Sequence, residues 1–166
     1  MAKHKEEKTN VMRILEQKKV PYAAHTYAES ESPLGEREYG LHIAQTLGQP
    51  VECVYKTLVA RGASKQLYVF CIPVAESLDL KKAAKAVGEK SVELLAVKEL
   101  LPLTGYVRGG CSPVGMKKQY PTVFHSTVTT CGKVFVSAGK IGAQIEVEPT
   151  ALLGLIGAAT ADIISK

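Results

Sequence analysis

Apolar residues recur at intervals of three and four positions in five segments, and this spacing predicts amphipathic helices. The predicted helices cover residues 10–19, 36–47, 80–88, a short segment near 98–103, and 150–166. Residues with short polar side chains precede three of them and are expected to act as N-caps: Thr9 or Asn10, Ser77 or Asp79, and Thr150. Gly48 and Gly88 are expected to end the second and third helices, because glycine readily adopts the left-handed conformation found at helix C-termini.

Six other segments are rich in β-branched and aromatic residues and are predicted to be strands. They cover residues 20–28, 53–60, 66–74, 122–128, 133–139 and 144–149. The sequence RGASK joins the second strand to the third and contains a glycine, which predicts an antiparallel hairpin. The sequence TTCG predicts a turn that joins the fourth strand to the fifth. The third strand is apolar enough to lie in the centre of a sheet.

The order of these elements mixes hairpins with helices and lacks a regular alternation of strand and helix. This order favours an α+β domain over a doubly wound parallel sheet. A chain of 166 residues, 46% of them hydrophobic, fits one domain large enough to bury a core. We therefore expect residues 1–166 to form a single α+β domain.

Composition and charge narrow the setting in which the protein works. No segment reaches the roughly 18 consecutive apolar residues of a membrane-spanning helix, and the first ten residues are too polar for a secretory signal. A cytoplasmic protein without a membrane partner is therefore expected. The net charge of +5 and the pI near 9.0 favour a polyanionic partner, since lysine-rich surfaces gain free energy by releasing counterions from phosphates.

Cysteine spacing and the missing motifs exclude several classes of site. The four cysteines are far apart and form no CxxC pair: Cys53, Cys71, Cys111 and Cys131. The sequence therefore suggests neither a zinc ribbon nor a thioredoxin-type redox site, and we expect reduced thiols, most of them buried. Motifs for dinucleotide binding, P-loop nucleotide binding and zincin-type metal binding are also missing, and SAGKIG has only the Gly-Lys of a P-loop.

The segment GYVRGGCSPVGMKK, residues 105–118, contains the first candidate functional residues. Gly109 and Gly110 allow the backbone to approach a ligand closely and to point N–H groups at a carbonyl oxygen on which negative charge develops. An ordinary turn or bulge is the alternative for this pair. Cys111 is a nucleophile only if a base lies beside it, and the positions of the four histidines do not reveal such proximity.

Lys56 lies inside the apolar segment CVYKTLVA, where a charge is expected only if it reaches solvent, a pocket or a partner. A ligand contact and an edge-strand lysine that discourages aggregation both explain this placement. Ser137, at the end of the predicted strand KVFVSAG, is a second candidate for a pocket.

Five segments taken together resemble the YbaK/EbsC family, which is related to the editing domain of bacterial prolyl-tRNA synthetases. These segments are HTY (25–27), YKTLV (55–59), LDLKKAAKAVG (78–88), GYVRGGCSPVG (105–115) and FVSAGKIG (135–142). The resemblance runs in order from about residue 20 to the C-terminus. One departure concerns the last segment, since family members often carry GGKRGL followed by Asp where this chain has AGKIGA followed by Gln144.

The resemblance implies a small domain with a mixed, barrel-like sheet surrounded by helices, which acts in trans as an aminoacyl-tRNA deacylase. The implied substrates are Cys-tRNA(Pro) and Cys-tRNA(Cys), with prolyl-tRNA synthetase as a partner and no role for DNA, a metal or a cofactor. Catalytic roles are then expected at Lys56, Gly109 and Gly110. Substrate-binding roles are expected at Tyr27, Thr57, Ser112, Ser137 and Gln144.

The resemblance also implies substrate-assisted cleavage, in which the thiol of the bound cysteine attacks its own carbonyl carbon and leaves as a cyclic thiolactone. An enzyme of this kind needs no nucleophile of its own, so Cys111 is expected to be dispensable. Two alternatives stay open. One is an Ala-tRNA(Pro) deacylase of the same fold that uses water, and the other is a noncatalytic module that binds tRNA or a synthetase through its basic surface.

Overall fold

Short helices and strands follow one another in the mixed order that the sequence predicts, which confirms the α+β class. The structure, a computed structural model, describes residues 8–27 and 36–165, and for residues 36–39 it describes the backbone alone. The described helices are α1 (Asn10–Gln17), α2 (Glu36–Leu47), α3 (Leu80–Val87), α4 (Val97–Thr104) and α5 (Pro149–Ile156), with 3₁₀ helices at Val51–Cys53 and Ser126–Thr130. The described strands are β1 (Tyr22–Thr26), β2 (Tyr55–Gly62), β3 (Leu67–Pro73), β4 (Val92–Leu94), β5 (Thr122–His125), β6 (Val134–Ser137), β7 (Ala143–Val147) and β8 (Ala159–Ala161). Each described helix is too short or too polar to cross a lipid bilayer.

Capping residues define the ends of several helices. Thr9 and Asp79 are the N-caps of α1 and α3, and each side chain accepts a hydrogen bond from the backbone N–H three residues later. Gly88 ends α3 in the left-handed conformation with a φ of +73°. These caps are among those predicted. The cap predicted at Thr150 is wrong, because the Glu148 carboxylate accepts hydrogen bonds from two N–H groups at the start of α5.

The strands form two sheets. The three-stranded sheet has the order β1-β7-β6, and the five-stranded sheet has the order β4-β2-β3-β5-β8. In the larger sheet β2 pairs antiparallel with β3 and β4, whereas β5 pairs parallel with β3 and β8. An isolated bridge between Val54 and Phe135 connects the sheets near the start of β2. Within the described residues the sheets do not close into a barrel, so this detail of the expected fold is corrected.

Pairing between distant strands explains two further corrections. The predicted β2–β3 hairpin is confirmed. The predicted TTCG turn does not join β5 directly to β6, because a 3₁₀ helix separates these strands and they belong to different sheets. The helix predicted over 150–166 ends at Ile156, and Ala159–Ala161 form β8 beside β5. In both segments, hydrogen bonding to a strand far away in the sequence overrides the local preference.

Three apolar clusters form the core, and the smallest contains Cys53 and Cys131 with Val54, Val74 and Phe135. The largest cluster packs α1 and α5 against strands of both sheets, and its fully buried members include Val11, Leu15, Phe124, Ile145 and Leu152. The second cluster packs α3 on the five-stranded sheet and includes Phe70, Ile72, Ala83, Val123 and Ile163. Every residue of β3 is buried, which confirms its predicted central position.

Two of the four cysteines form a disulfide bond. The bond joins Cys53 to Cys131 across a sequence separation of 78 residues, with their Cα atoms 5.9 Å apart. The expectation of four reduced thiols is therefore wrong for this pair, because spacing along the chain does not reveal which distant residues the fold brings together. Cys71 and Cys111 are free and buried, as expected.

Candidate active site

A cavity of about 100 Å³ opens near the point where the two sheets are connected. Its wall combines residues from α2, from both sheets and from the loop that follows α4. Six of the eight residues expected to form the site line this cavity: Tyr27, Lys56, Thr57, Gly109, Ser137 and Gln144. The other two, Gly110 and Ser112, lie outside the wall. The fold thus brings together most of the residues that the sequence singled out.

Lys56 is the one charged residue among the described residues that line the cavity. It lies in β2 between Tyr55 and Thr57 and is paired in register with Ile72 of β3. The side chain is half-buried. A positive charge in such a hollow attracts a ligand that carries phosphate or ester oxygens.

Tyr55, which the sequence analysis did not single out, supports the segment that carries Lys56. Its hydroxyl forms a 3.0 Å hydrogen bond with the Thr127 hydroxyl, and its ring stacks on Phe124 with the centroids 5.8 Å apart. Burial raises the pKa of the Tyr55 hydroxyl, so this group stays protonated at pH 7. These contacts hold the start of β2 in place at the cavity wall.

Gly109 and Gly110 have different roles in the structure. Gly109 lines the cavity with a φ of +88°, a conformation that favours glycine. The Gly110 N–H donates a hydrogen bond to the Val107 carbonyl at 3.0 Å. The expected pair of substrate-binding amides is therefore reduced to one, since the Gly110 amide is already used within the turn.

Ser137 and Gln144 lie opposite each other in the β6–β7 pair. The Ser137 hydroxyl accepts a hydrogen bond from the Gly139 N–H at 3.1 Å. Gln144 is only 4% exposed, and its Oε1 accepts a 2.6 Å hydrogen bond from Nε2 of Gln49. These contacts hold two neutral polar side chains in the same wall as Lys56.

Tyr27, Thr57 and Ser112 complete the expected substrate-binding residues. Tyr27 follows β1, and its N–H donates to the Gly142 carbonyl at 3.0 Å. The Thr57 hydroxyl lies 3.7 Å from the Cys71 sulfur. Ser112 is fully buried, and its hydroxyl accepts a hydrogen bond from the N–H two residues later at 3.2 Å. This contact holds the Ser112 side chain within the turn. Unlike Tyr27 and Thr57, Ser112 does not line the cavity.

Cys111 lines the cavity, but its surroundings do not activate it. The described lining residues include neither a histidine nor a carboxylate, and His25 is bonded to Glu146 at 2.7 Å. Burial raises the pKa of the Cys111 thiol to about 12. At pH 7 such a thiol is almost entirely protonated and is a weak nucleophile. The described residues also contain no group of three or more side chains suited to bind a metal ion.

Sequence analysis did not identify the apolar part of the wall. Ile43, Val54, Val74 and Val136 line the cavity, and none of them differs in type from an ordinary core residue. Gly40 of α2 also lines it, and a Cβ at this position would approach the Val74 side chain to 2.6 Å. A glycine inside a predicted helix was the available signal for this close packing.

Comparison with known proteins relates this site to a family. A model of the family described as "Aminoacyl-tRNA editing domain" matches residues 41–155. A relative from Enterococcus faecalis, named "Putative Cys-tRNA(Pro)/Cys-tRNA(Cys) deacylase EbsC", is 46% identical over 167 aligned positions that cover 100% of this chain and 99% of that protein.

Solved structures share the fold. A protein described as "a putative trans-editing enzyme for prolyl tRNA synthetase" aligns with a TM-score of 0.76 and 26% identity over 95% of this chain and 99% of that chain. A hypothetical protein, APE2540, aligns with a TM-score of 0.80 and 24% identity over 93% of this chain and 99% of that chain. The family model covers more than half of the sequence, and the Enterococcus relative matches it from end to end. The chain therefore belongs to the aminoacyl-tRNA editing domain family, in agreement with the resemblance found in its motifs.

Proposed function

We propose that the protein is a trans-acting aminoacyl-tRNA deacylase that removes cysteine from Cys-tRNA(Pro) and Cys-tRNA(Cys). The observation that carries this proposal is a small cavity in which one lysine, one glycine backbone and several neutral polar side chains meet. Such a wall can hold and polarise an ester, yet its described residues offer no activated nucleophile. Family membership and the name of the Enterococcus relative support the same reaction.

The reaction that suits this wall is intramolecular. The sulfur of the bound cysteine attacks its own carbonyl carbon, so a C–S bond forms and the C–O bond to the ribose breaks. The thiol proton passes to the departing ribose oxygen. The products are a four-membered thiolactone and a tRNA with a free terminal hydroxyl. Holding the sulfur close to the carbonyl carbon supplies much of the rate, because the attack no longer requires a second molecule.

Different residues of the cavity are assigned to the ester and to the aminoacyl group. We assign Lys56 to the ester oxygens or the terminal phosphate, and the Gly109 backbone to the oxyanion that forms during attack. The aminoacyl group is assigned to the pocket formed by Tyr27, Thr57, Ser137 and Gln144. Gly110 acts indirectly, by keeping the turn in the conformation that presents Gly109.

A cytoplasmic location and a prolyl-tRNA synthetase partner are further parts of the proposal. The net charge of +5 suits a protein that binds tRNA. The solved structure described as a trans-editing enzyme for prolyl-tRNA synthetase supports the choice of partner. On this proposal the partner supplies the selection of the tRNA, while the cavity selects the aminoacyl group.

An Ala-tRNA(Pro) deacylase is the second candidate. The cavity of about 100 Å³ suits a small side chain, and alanine is smaller than cysteine. Gln144 is neutral where family members often carry Asp, which changes a polar contact in the pocket. In this second reaction water attacks the carbonyl carbon, because the methyl group of alanine has no nucleophilic atom.

A deacylation assay with the purified protein distinguishes these functions. Both tRNA(Pro) and tRNA(Cys) are charged with cysteine, serine or alanine, and the remaining ester is measured over time. We expect rapid loss of cysteine from both tRNAs, with serine and alanine retained, and thiolactone detected by mass spectrometry. Loss of alanine at a similar rate would favour the second candidate. Binding of Cys-tRNA without loss of the ester would contradict the proposal and indicate a noncatalytic module.

A further inference from the structure

A second cavity, of about 230 Å³, lies beside the first. The two cavities share Thr57, Gly109 and Cys111 in their walls. From this shared wall the second cavity extends along β2 to β4 and α4. Besides Arg108, the other residues of its wall have apolar side chains: Leu58, Val59, Leu94, Leu95, Val97 and Leu100. Nearly half of the surface exposed to the cavity is nevertheless polar.

The apolar wall of the second cavity is both exposed and firmly supported. Leu94 is 48% exposed and Val97 is 59% exposed, although both are large apolar residues. Leu95 and Leu100 are partly buried and pack against the main core, which fixes β4 and α4 beneath the exposed side chains. Exposed apolar side chains beside a cavity offer a surface for the apolar face of a ligand.

A nucleobase matches the size and chemistry of this second cavity. Apolar side chains hold the faces of extruded bases in enzymes that act on nucleic acids. An apolar cavity of about 150 Å³ is enough to bind benzene, so a cavity of about 230 Å³ has room for a larger flat ring system. The aminoacyl ester is assigned to the first cavity, because Lys56 and the neutral polar side chains lie there.

Because the two cavities adjoin, the base that reaches the second cavity is the one nearest to the ester in the first. When the aminoacyl group occupies the first cavity, the ester lies near the shared residue Gly109. The ribose and the base that carry this ester are only a few bonds away, and in tRNA that terminal nucleotide is an adenosine. Arg108 in the wall of the second cavity provides positive charge for its phosphate, in addition to Lys56 in the first cavity.

We infer that the second cavity binds the 3′-terminal adenosine of the tRNA, with the adenine ring against Leu94 and Val97. This inference rests on the proposed function, because the ester fixes which nucleotide lies next to the first cavity. The protein then recognises the nucleoside and the amino acid in two adjoining compartments that meet at Gly109.

Binding of adenosine 5′-monophosphate tests the second cavity without any deacylation. The variant is Val97→Asp, and the matched control is Leu80→Asp, since each replaces an exposed apolar residue at the first position of a helix, where an acidic residue is tolerated. We expect AMP to shift the NMR signals of Leu94 and Val97 in the unmodified protein. Val97→Asp should weaken binding about tenfold or more, which is about 1.4 kcal/mol, and Leu80→Asp should leave it unchanged. Absence of saturable binding at millimolar AMP, or equal binding by Val97→Asp, would overturn the inference.

A pair of substrates separates failure of the inference from failure of the proposed function. A cysteinyl RNA minihelix contains the terminal adenosine, whereas cysteine ethyl ester does not. We expect Val97→Asp to lower kcat/KM for the minihelix about tenfold more than for the ethyl ester, mainly through KM. Equal losses for both substrates would count against the inference. If the unmodified protein cleaves neither substrate, the proposed function fails, and the AMP measurement still decides whether the second cavity binds a nucleotide.

Discussion

Lys56 is the residue on which the chemistry of the first cavity depends most. Two explanations were open for a lysine inside an apolar strand, a ligand contact and an edge-strand position. β4 pairs with β2 only at Ala60–Gly62, so the strand order does not decide between the two explanations at Lys56. Lys56 lines the cavity, and this favours the ligand contact. Lys56 is half-buried, and partial burial of a charged residue is easier to explain where the charge serves a substrate.

We expect Lys56→Ala to lower kcat/KM for Cys-tRNA(Pro) by two to three orders of magnitude. Loss of one well-placed contact to charge that develops on the reacting ester typically raises the barrier by about 2 to 4 kcal/mol. Lys81→Ala is the matched control, because Lys81 is exposed on α3 and the same unit of charge is removed. Turnover by Lys56→Ala within a few-fold of the control would show that the lysine is not part of the reaction.

The Cys111 thiol is expected to react slowly with alkylating reagents. With a pKa of about 12 in place of the roughly 8.5 of a free cysteine, its thiolate fraction at pH 8 falls by more than three orders of magnitude. A more basic thiolate is also more nucleophilic, and this offsets part of the loss in labelling rate. Iodoacetamide should therefore label Cys111 about a hundredfold more slowly than free cysteine. The labelling rate should increase as the pH rises. Peptide mass spectrometry measures the rate, and labelling as fast as that of free cysteine would contradict the prediction.

Cys111→Ser should keep near-normal deacylase activity, because the proposed nucleophile belongs to the substrate.

At the scale of elements, the turn after α4 is fixed by its packing against the β6–β7 connection. A Cβ on Gly110 would lie 2.9 Å from the backbone nitrogen of Ile141 and 3.0 Å from the carbonyl carbon of Lys140. Backbone atoms cannot move aside as a flexible side chain can. Glycine is therefore required at position 110, because two backbone segments approach each other closely there. The adjacent Gly109 lines the cavity.

Gly110→Ala is expected to destabilise the protein by about 1 to 3 kcal/mol, the usual cost of overpacking. The same change should lower deacylase activity, because the displaced turn carries Gly109 away from the ester. Gly132→Ala is the control, since a Cβ there meets no atom within 4 Å. Denaturant unfolding followed by circular dichroism measures both variants, and equal stability for the two would contradict this account of the turn.

Turn and cap residues in the sequence predicted most helices and strands. They did not predict pairing between strands that are far apart in the sequence. The glycine-containing loop between β2 and β3 and the cap at Asp79 are encoded within a few residues, so the hairpin and α3 were predicted. The parallel pairing of β5 with β3 and β8 has no local signature. Gly157, which ends α5 in the left-handed conformation, was the available sign that the last helix stops early.

At the scale of the whole molecule, the site is assembled from residues that are far apart in sequence. Lys56 stood out because it is a charge in an apolar strand, and Ser137 because it ends a predicted strand. Motif resemblance added Tyr27 and Gln144. The partner of Gln144 could not be identified in this way, because Gln49 comes from a different part of the chain and is an ordinary residue of a helix-to-strand connection. The same limit applies to the disulfide, which joins the connections that precede β2 and β6.

Reduction of the disulfide between Cys53 and Cys131 is expected to lower the free energy of unfolding by about 2 to 4 kcal/mol. A bond across 78 residues restricts the unfolded chain, and its loss makes the unfolded state more favourable. Denaturant unfolding with and without dithiothreitol measures the effect, which should be absent from a Cys53→Ala, Cys131→Ala double variant. A thiol count in the unfolded, unreduced protein should give two free groups, those of Cys71 and Cys111, and a count of four would contradict the bond. Neither cysteine of the bond is among the described residues that line the first cavity, so we expect deacylase activity to persist after reduction at temperatures where the domain stays folded.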